Sequence, residues 1–212
     1  ANEQYDLIIT APLGAAFFIW EWATALLGYL LKVDPFNQPN VAEAKEQTNI
    51  ALNSTRSTHP KSYAGENFTI YSEQQLNNIS EIRKMDFQYL AVMAYIHRDF
   101  DSELFELQEN LATFTKRPVT VGYGPRFLHS TGQFHKGGPQ AAIFIQIVSK
   151  YSDAELNGPL VPGQKFSFAR LISAQADGDR IALEKRQRTV IVIEVSDIKK
   201  AIAELNKLIV AA

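Results

Sequence analysis

The chain has 212 residues, 21 Lys and Arg against 23 Asp and Glu, and a formal net charge of −2. That length suits one sizeable α/β domain or two small ones; the charge, without any basic run, argues against a nucleic-acid surface but leaves an anionic small molecule open. There is no cysteine, which excludes disulfides, thiolate metal sites and cysteine nucleophiles and fits a reducing compartment.

Residues 1–4 are polar and carry no basic stretch, so no signal peptide is expected. Residues 5–10 form a short β-branched run that reads as a strand, followed by a turn at Pro12 and Gly14. A chain that opens on a strand entering a helix is expected to be cut from a longer protein. Residues 15–31 are apolar on most faces and predict a helix buried on two sides. The stretch is long enough for a membrane span. However, Glu21 stands at its centre and Trp20 and Trp22 lie mid-segment, so the expectation is a soluble helix and no membrane role.

Two prolines bracket the next stretch. Pro35 fixes its own φ and keeps Asp34 out of helical geometry. Pro39 suits the first turn of a helix, with Asn37 or Gln38 as the cap. That helix, to about residue 52, points its positive end at whatever sits beside Gln38, and Lys45 lies in its second turn. Alone, the stretch also reads as an ordinary loop-to-helix junction with a solvated lysine.

Residues 53–65 read as an exposed loop, and 67–71 as a strand. Ser72 is expected to cap a short helix over 73–79. Residues 87–96 form a near-continuous apolar run, as in a central parallel strand. Asp101 is expected to cap a helix to residue 114, with Leu104, Leu107 and Leu111 on one face and Arg117–Pro118 ending it. Strands follow at 119–122 and 141–148, separated by a glycine-rich stretch over 122–139, and 156–164 reads as a loop. A helix over 166–176 is expected to end at Gly178, and Asp179 to cap another to residue 187. Residues 189–195 are the last strand, and Asp197 caps a closing helix to residue 210. The alternation predicts an α/β fold: a mostly parallel sheet with helices on both faces, binding ligands at the strands' carboxyl ends.

The chemistry-bearing residues concentrate in 126–139. Ser130, Thr131 and Gly132 offer hydroxyls and N–H groups suited to a phosphate or a sugar hydroxyl. His129 suits general acid–base work, or is a packed or capping histidine. His129 and His135 lie six apart with no carboxylate to complete a set, so no metal site is expected. Lys136 precedes Gly137, Gly138 and Pro139 in a cationic turn that lacks P-loop spacing. There is no GxGxxG after a strand and no GxSxG elbow. His59, in the exposed loop, and His97, at a strand end, carry no assigned role.

The run from Gly28 to Lys45, with Asp34-Pro35-Phe36-Asn37-Gln38-Pro39 at its centre, resembles the C-terminal signature of glucose-6-phosphate isomerases, roughly NPFDQPxVExxK. Asn37, Asn40 and Ala42 depart from it; Gln38 and Lys45 do not. Gly14, Phe17, Trp20 and Glu21 resemble the preceding helix. Leu128-His129-Ser130-Thr131-Gly132-Gln133 is similar to the LHSxGQ motif of bacterial members. The segments 122–127 and 136–139 look most like the isomerase half of transaldolase–glucose-6-phosphate isomerase fusion proteins. Here the lysine motif precedes the histidine motif, the reverse of ordinary bacterial members, and the glycine-rich segment carrying the family's base glutamate has no match.

The resemblance implies the C-terminal portion of a longer cytoplasmic enzyme. Its fold would be a three-layer α/β sandwich of the sugar isomerase (SIS) type, with signature helices and a loop over 1–66 and an α/β subdomain over 67–212. It implies interconversion of glucose 6-phosphate and fructose 6-phosphate, with Lys45 and His129 as the ring-opening pair. Gln38, Ser130, Thr131, Gln133 and Lys136 would bind substrate, and no metal or organic cofactor is required. The expected partners are a phosphorylated hexose and either further copies of the chain or the rest of its parent. A non-catalytic sugar-phosphate sensor and a structural or oligomerisation domain are the alternatives.

Overall fold

The computed structural model describes residues 8–37, 39–53, 59–74 and 76–211, without the side chains of residues 39–42 and 44. The described chain forms two compact units, 1–38 and 39–212. The division between these units lies at residue 38, ahead of the signature helix.

The first unit is built on helix α1, Leu13–Leu31. Lys32 ends it in the left-handed conformation, and its N–H donates back to Gly28 and Tyr29. The chain then turns on Asp34, whose carboxylate accepts from the Phe36 N–H at 2.9 Å. This return explains Gly28: a Cβ there would meet the Pro35 ring at 2.8 Å. The expectation that α1 is buried on two sides fails, because only Gly28 is buried along it. Phe17, Trp20, Trp22 and Leu30 are exposed. A helix apolar all round selects no one face, and its unit offers no second helix or strand among the described residues. By length and composition α1 could cross a membrane. Residues 8–10 are irregular, and the rest of the strand expected at 5–10 lies outside the described residues.

The second unit is a six-stranded α/β sheet in the order β1-β2-β6-β5-β3-β4. The strands are β1 Lys61–Ala64, β2 Phe68–Tyr71, β3 Tyr89–Tyr95, β4 Val119–Tyr123, β5 Ala142–Ser149 and β6 Thr189–Val195. β6, β5, β3 and β4 run parallel, while β1 and β2 add an antiparallel hairpin beside β6. Alternation along the central strands divides the core. Leu90, Val92 and Ala94 pack with Ile143, Ile145 and Ile147 against helices α3 (Asp101–Thr115) and α7 (Ile198–Val210). Ala91, Met93, Tyr95 and Phe144 pack on the opposite face against α6, Phe168–Glu184. Both faces of the parallel strands are therefore apolar, which is why they read as continuous runs in the sequence. Helix α2, Pro39–Asn53, packs along α6, and two short helices, α4 (Gly132–Gly137) and α5 (Asp153–Leu156), follow β4 and β5.

Several local expectations are corrected. The loop expected over 53–65 contains β1, held by the turn at Gly65, whose N–H donates to Phe68 O. His59 is half-buried and bonded to Glu184 at 2.7 Å. Among the described residues of 73–79 there is no α-helix; a 3-10 helix forms instead at Ile79–Lys84, capped by Asn78. Asp101 is the first residue of α3, and its carboxylate accepts from the Tyr123 hydroxyl at 2.7 Å rather than capping. The two helices expected around Gly178 are one continuous α6. Gly178 is there for clearance: a Cβ would meet the Thr48 N of α2 at 2.6 Å and its Oγ1 at 2.7 Å. Asp197 does cap α7, accepting from the Lys200 N–H at 3.1 Å.

Candidate functional site

Two helices and two loops surround a cavity of about 560 Å³, within the range of small-molecule sites. Helix α2 supplies Lys45, Thr48, Asn49 and Leu52. Their spacing of three, four and seven residues puts them on one helix face. Helix α6 supplies Leu171 and Gln175, one turn apart. The chain after β4 supplies Pro125, Leu128 and His129, and the loop after β5 supplies Val161, Gln164 and Phe166. Ligands of α/β sheets collect at such carboxyl ends.

Local sequence fixes each wall. Helix α2 is held on α6 by the close approach of Thr48 to Gly178 and by an ion pair between Glu43 and Arg186 at 2.6 Å. His129 ends the 3-10 turn Arg126–His129, which follows a cis Gly124–Pro125 peptide. Phe127 from the same turn is buried in the core, leaving Leu128 and His129 on the cavity side. The cavity is thus lined by a cation, an imidazole, a hydroxyl and three carboxamides on an otherwise apolar wall. No Asp or Glu is among its described lining residues.

The structure brings Lys45 and His129 to one cavity and distributes the other candidates elsewhere. Gln38 lies outside the described residues. Ser130 lines a separate cavity of about 310 Å³ with Arg98, Asp101, Tyr123 and Arg126, and its hydroxyl donates to Phe127 O at 3.1 Å. Thr131 precedes helix α4, Gly132–Gly137, without capping it through its side chain. It is exposed, whereas Gln133, within α4, is half-buried.

Lys136 is only 2% exposed. Its Nζ is bound to Asp179, a fully buried carboxylate on α6. Burial raises the Asp179 pKa, and Lys136 and the Tyr95 hydroxyl oppose that rise. Asp179 in turn helps burial push the Tyr95 phenol well above its usual range. The Arg188 Nη2 donates to the carbonyls of Lys136 and Gly138, closing the carboxyl end of α4. His135 sits between the Phe127 and Phe144 rings at 5.6 and 5.2 Å. Burial, helped by the neighbouring Lys136 charge, lowers its pKa to about 4. Lys136 is therefore committed to a buried pair that fastens α4 to α6, and the cationic turn read from the sequence is an anchor.

Sequence reasoning missed Asn49, Gln164 and Gln175 at the cavity. Asn49 carried a signal, since it stands one helical turn after Lys45. Gln175 carried none: it falls inside the helix expected over 166–176, but nothing local shows that its face meets α2. Among the described residues no group of three or more His, Asp or Glu is placed to hold a metal ion.

No family model matches the sequence, and no curated protein matches it. Among solved structures the chain is similar to the crystal structure of hypothetical protein TT0462 from Thermus thermophilus, at 16% identity and a TM-score of 0.47. The alignment covers 58% of this chain and 34% of that one, so the chain spans about a third of that protein's length.

Proposed function

We propose that this chain is part of a sugar-phosphate aldose–ketose isomerase of SIS-like fold, interconverting glucose 6-phosphate and fructose 6-phosphate. The observation that carries the reading is the shared cavity: Lys45 and His129 lie 84 positions apart in the sequence and line one cleft. These are the two residues that the motif resemblance singles out for ring opening.

The chemistry follows from the residue types. Opening the pyranose moves a proton from the anomeric hydroxyl to the ring oxygen. The imidazole of His129 takes the proton of the anomeric hydroxyl, and the Lys45 ammonium donates to the ring oxygen as its bond to C1 breaks. The open-chain aldose then loses the proton on C2 to form an enediolate, and the proton returns at C1 to give the ketose. The proton that His129 took from the anomeric hydroxyl passes to Lys45 through solvent, and the restored ammonium stands beside the developing oxyanion. A carboxylate base is needed for the carbon-to-carbon transfer. With none in the described lining, that base belongs to a part of the enzyme beyond this cavity wall.

The absence of a lining carboxylate also favours a second reading, a module that binds sugar phosphate without turning it over. Both readings predict that millimolar glucose 6-phosphate raises the melting temperature of the chain and that Lys45→Gln abolishes the rise, since a ligand must stabilise the fold it binds. No rise in the wild-type chain would overturn both. Isomerase activity in the parent enzyme, lost on His129→Gln, selects the catalytic reading.

A further inference from the structure

A cation and an imidazole hold an anion but do not distinguish a sugar phosphate from inorganic phosphate. That distinction needs groups that both donate and accept, matching the two-way character of a hydroxyl. Two such groups stand on the helical walls of the cavity. Asn49 lies one turn after Lys45 on α2, and Gln175 lies one turn after Leu171 on the facing α6. Neither side chain has a hydrogen-bond partner among the described residues, so both are available to a ligand. Gln175 is half-buried between apolar neighbours, and a ligand hydroxyl there would meet a polar group in a partly dry wall. Leu128, Leu171 and Phe166 supply the apolar surface that a sugar's C–H face requires.

We infer that the carboxamides of Asn49 and Gln175 are the specificity-determining groups of this cavity, binding the hydroxyls of a polyhydroxylated phosphate ester while Lys45, at the ring oxygen, also attracts the phosphate charge carried on the neighbouring C6. The inference rests on the sugar-phosphate reading above and deepens it. Asn49 and Gln175 sit on helices clamped together at Gly178 and Thr48, so the spacing between the two amides is fixed by the packing of α2 on α6. Rigid elements hold such groups more accurately than loops do.

Calorimetric titration of the chain with glucose 6-phosphate and, separately, with inorganic phosphate tests this. Asn49→Leu and Gln175→Met keep side-chain volume and remove the amide. Each is expected to weaken glucose 6-phosphate about fivefold, the net worth of one neutral hydrogen bond, and to leave inorganic phosphate unchanged. Lys45→Gln weakens both ligands. Equal weakening of both ligands by the amide variants, or no change in either, overturns the inference. If Lys45→Gln weakens both ligands while the amide variants leave glucose 6-phosphate untouched, the sugar-phosphate reading stands and the inference falls. If the wild-type chain takes neither ligand, both fall. Melting temperatures of the free variants check folding, and Asn49→Ala and Gln175→Ala give the same comparison should the larger apolar side chains destabilise the helices.

Discussion

Lys136 shows how a residue's chemistry depends on what surrounds it. In the sequence it is a cation in a glycine-rich turn; in the structure it is paired with Asp179 in the core. Removing one partner of a buried pair leaves the other charge uncompensated, whereas removing both does not. Lys136→Met is therefore expected to cost about 3–5 kcal/mol in urea unfolding, with Lys136→Met/Asp179→Leu recovering most of it. If the double variant is no more stable than the single one, the pair is not what fastens α4. His135, one residue away, has its pKa lowered to about 4 by burial and by the Lys136 charge. Above about pH 6.5 it is neutral in both the folded and the unfolded chain. As the pH falls towards 4, the unfolded chain takes up a proton that the folded chain resists, so stability is lost through that window. The full loss is about 3 kcal/mol by linkage. Thermal melts between about pH 7 and about pH 4.5 should show this decline, and His135→Phe, which keeps the ring contacts, should flatten it.

Among the elements, Gly178 decides how α2 and α6 meet. Replacing a mid-helix glycine by alanine usually stabilises by up to about 1 kcal/mol. Here the added methyl runs into the Thr48 backbone of α2. Gly178→Ala is expected to destabilise by about 1–3 kcal/mol and to weaken any ligand bound at Lys45. A raised melting temperature would show that α2 does not pack where described. The same glycine marks what the sequence concealed. β6 matches its expected bounds of 189–195, because an apolar β-branched run has few alternatives. The starts of α2 at Pro39 and of α7 after Asp197 were legible from local capping chemistry. A glycine followed by an aspartate, however, is the local pattern of a helix stop and a new cap. Only the arrival of α2, from more than a hundred residues earlier, shows that Gly178 answers to clearance and Asp179 to Lys136. β1 was illegible for a similar reason: four residues with one aromatic become a strand only when β2 is beside them.

Across the 39–212 unit, the proposal joins a helix from one end to a turn from the middle, so that the two build one sugar-phosphate cavity. Lys45 and His129 were legible as candidates, and as a pair, only through the motif resemblance; no local pattern gave the packing of α2 on α6 that carries Lys45 to the cavity. Ser130 lay one residue from His129 in the same motif and lines a different cavity, separated by the turn whose Phe127 enters the core. The carboxamides on the cavity walls carried no motif at all.

The chain's 4 histidines provide a direct test, since only His129 lines the proposed site. Glucose 6-phosphate titrated into the chain and followed by the imidazole NMR resonances of His59, His97, His129 and His135 should move His129 with saturation, leave the other three in place, and lose the effect in Lys45→Gln. Saturable movement of His59 or His97 with His129 unmoved, or an unchanged His129 response in Lys45→Gln, would contradict the proposal that Lys45 and His129 form one site.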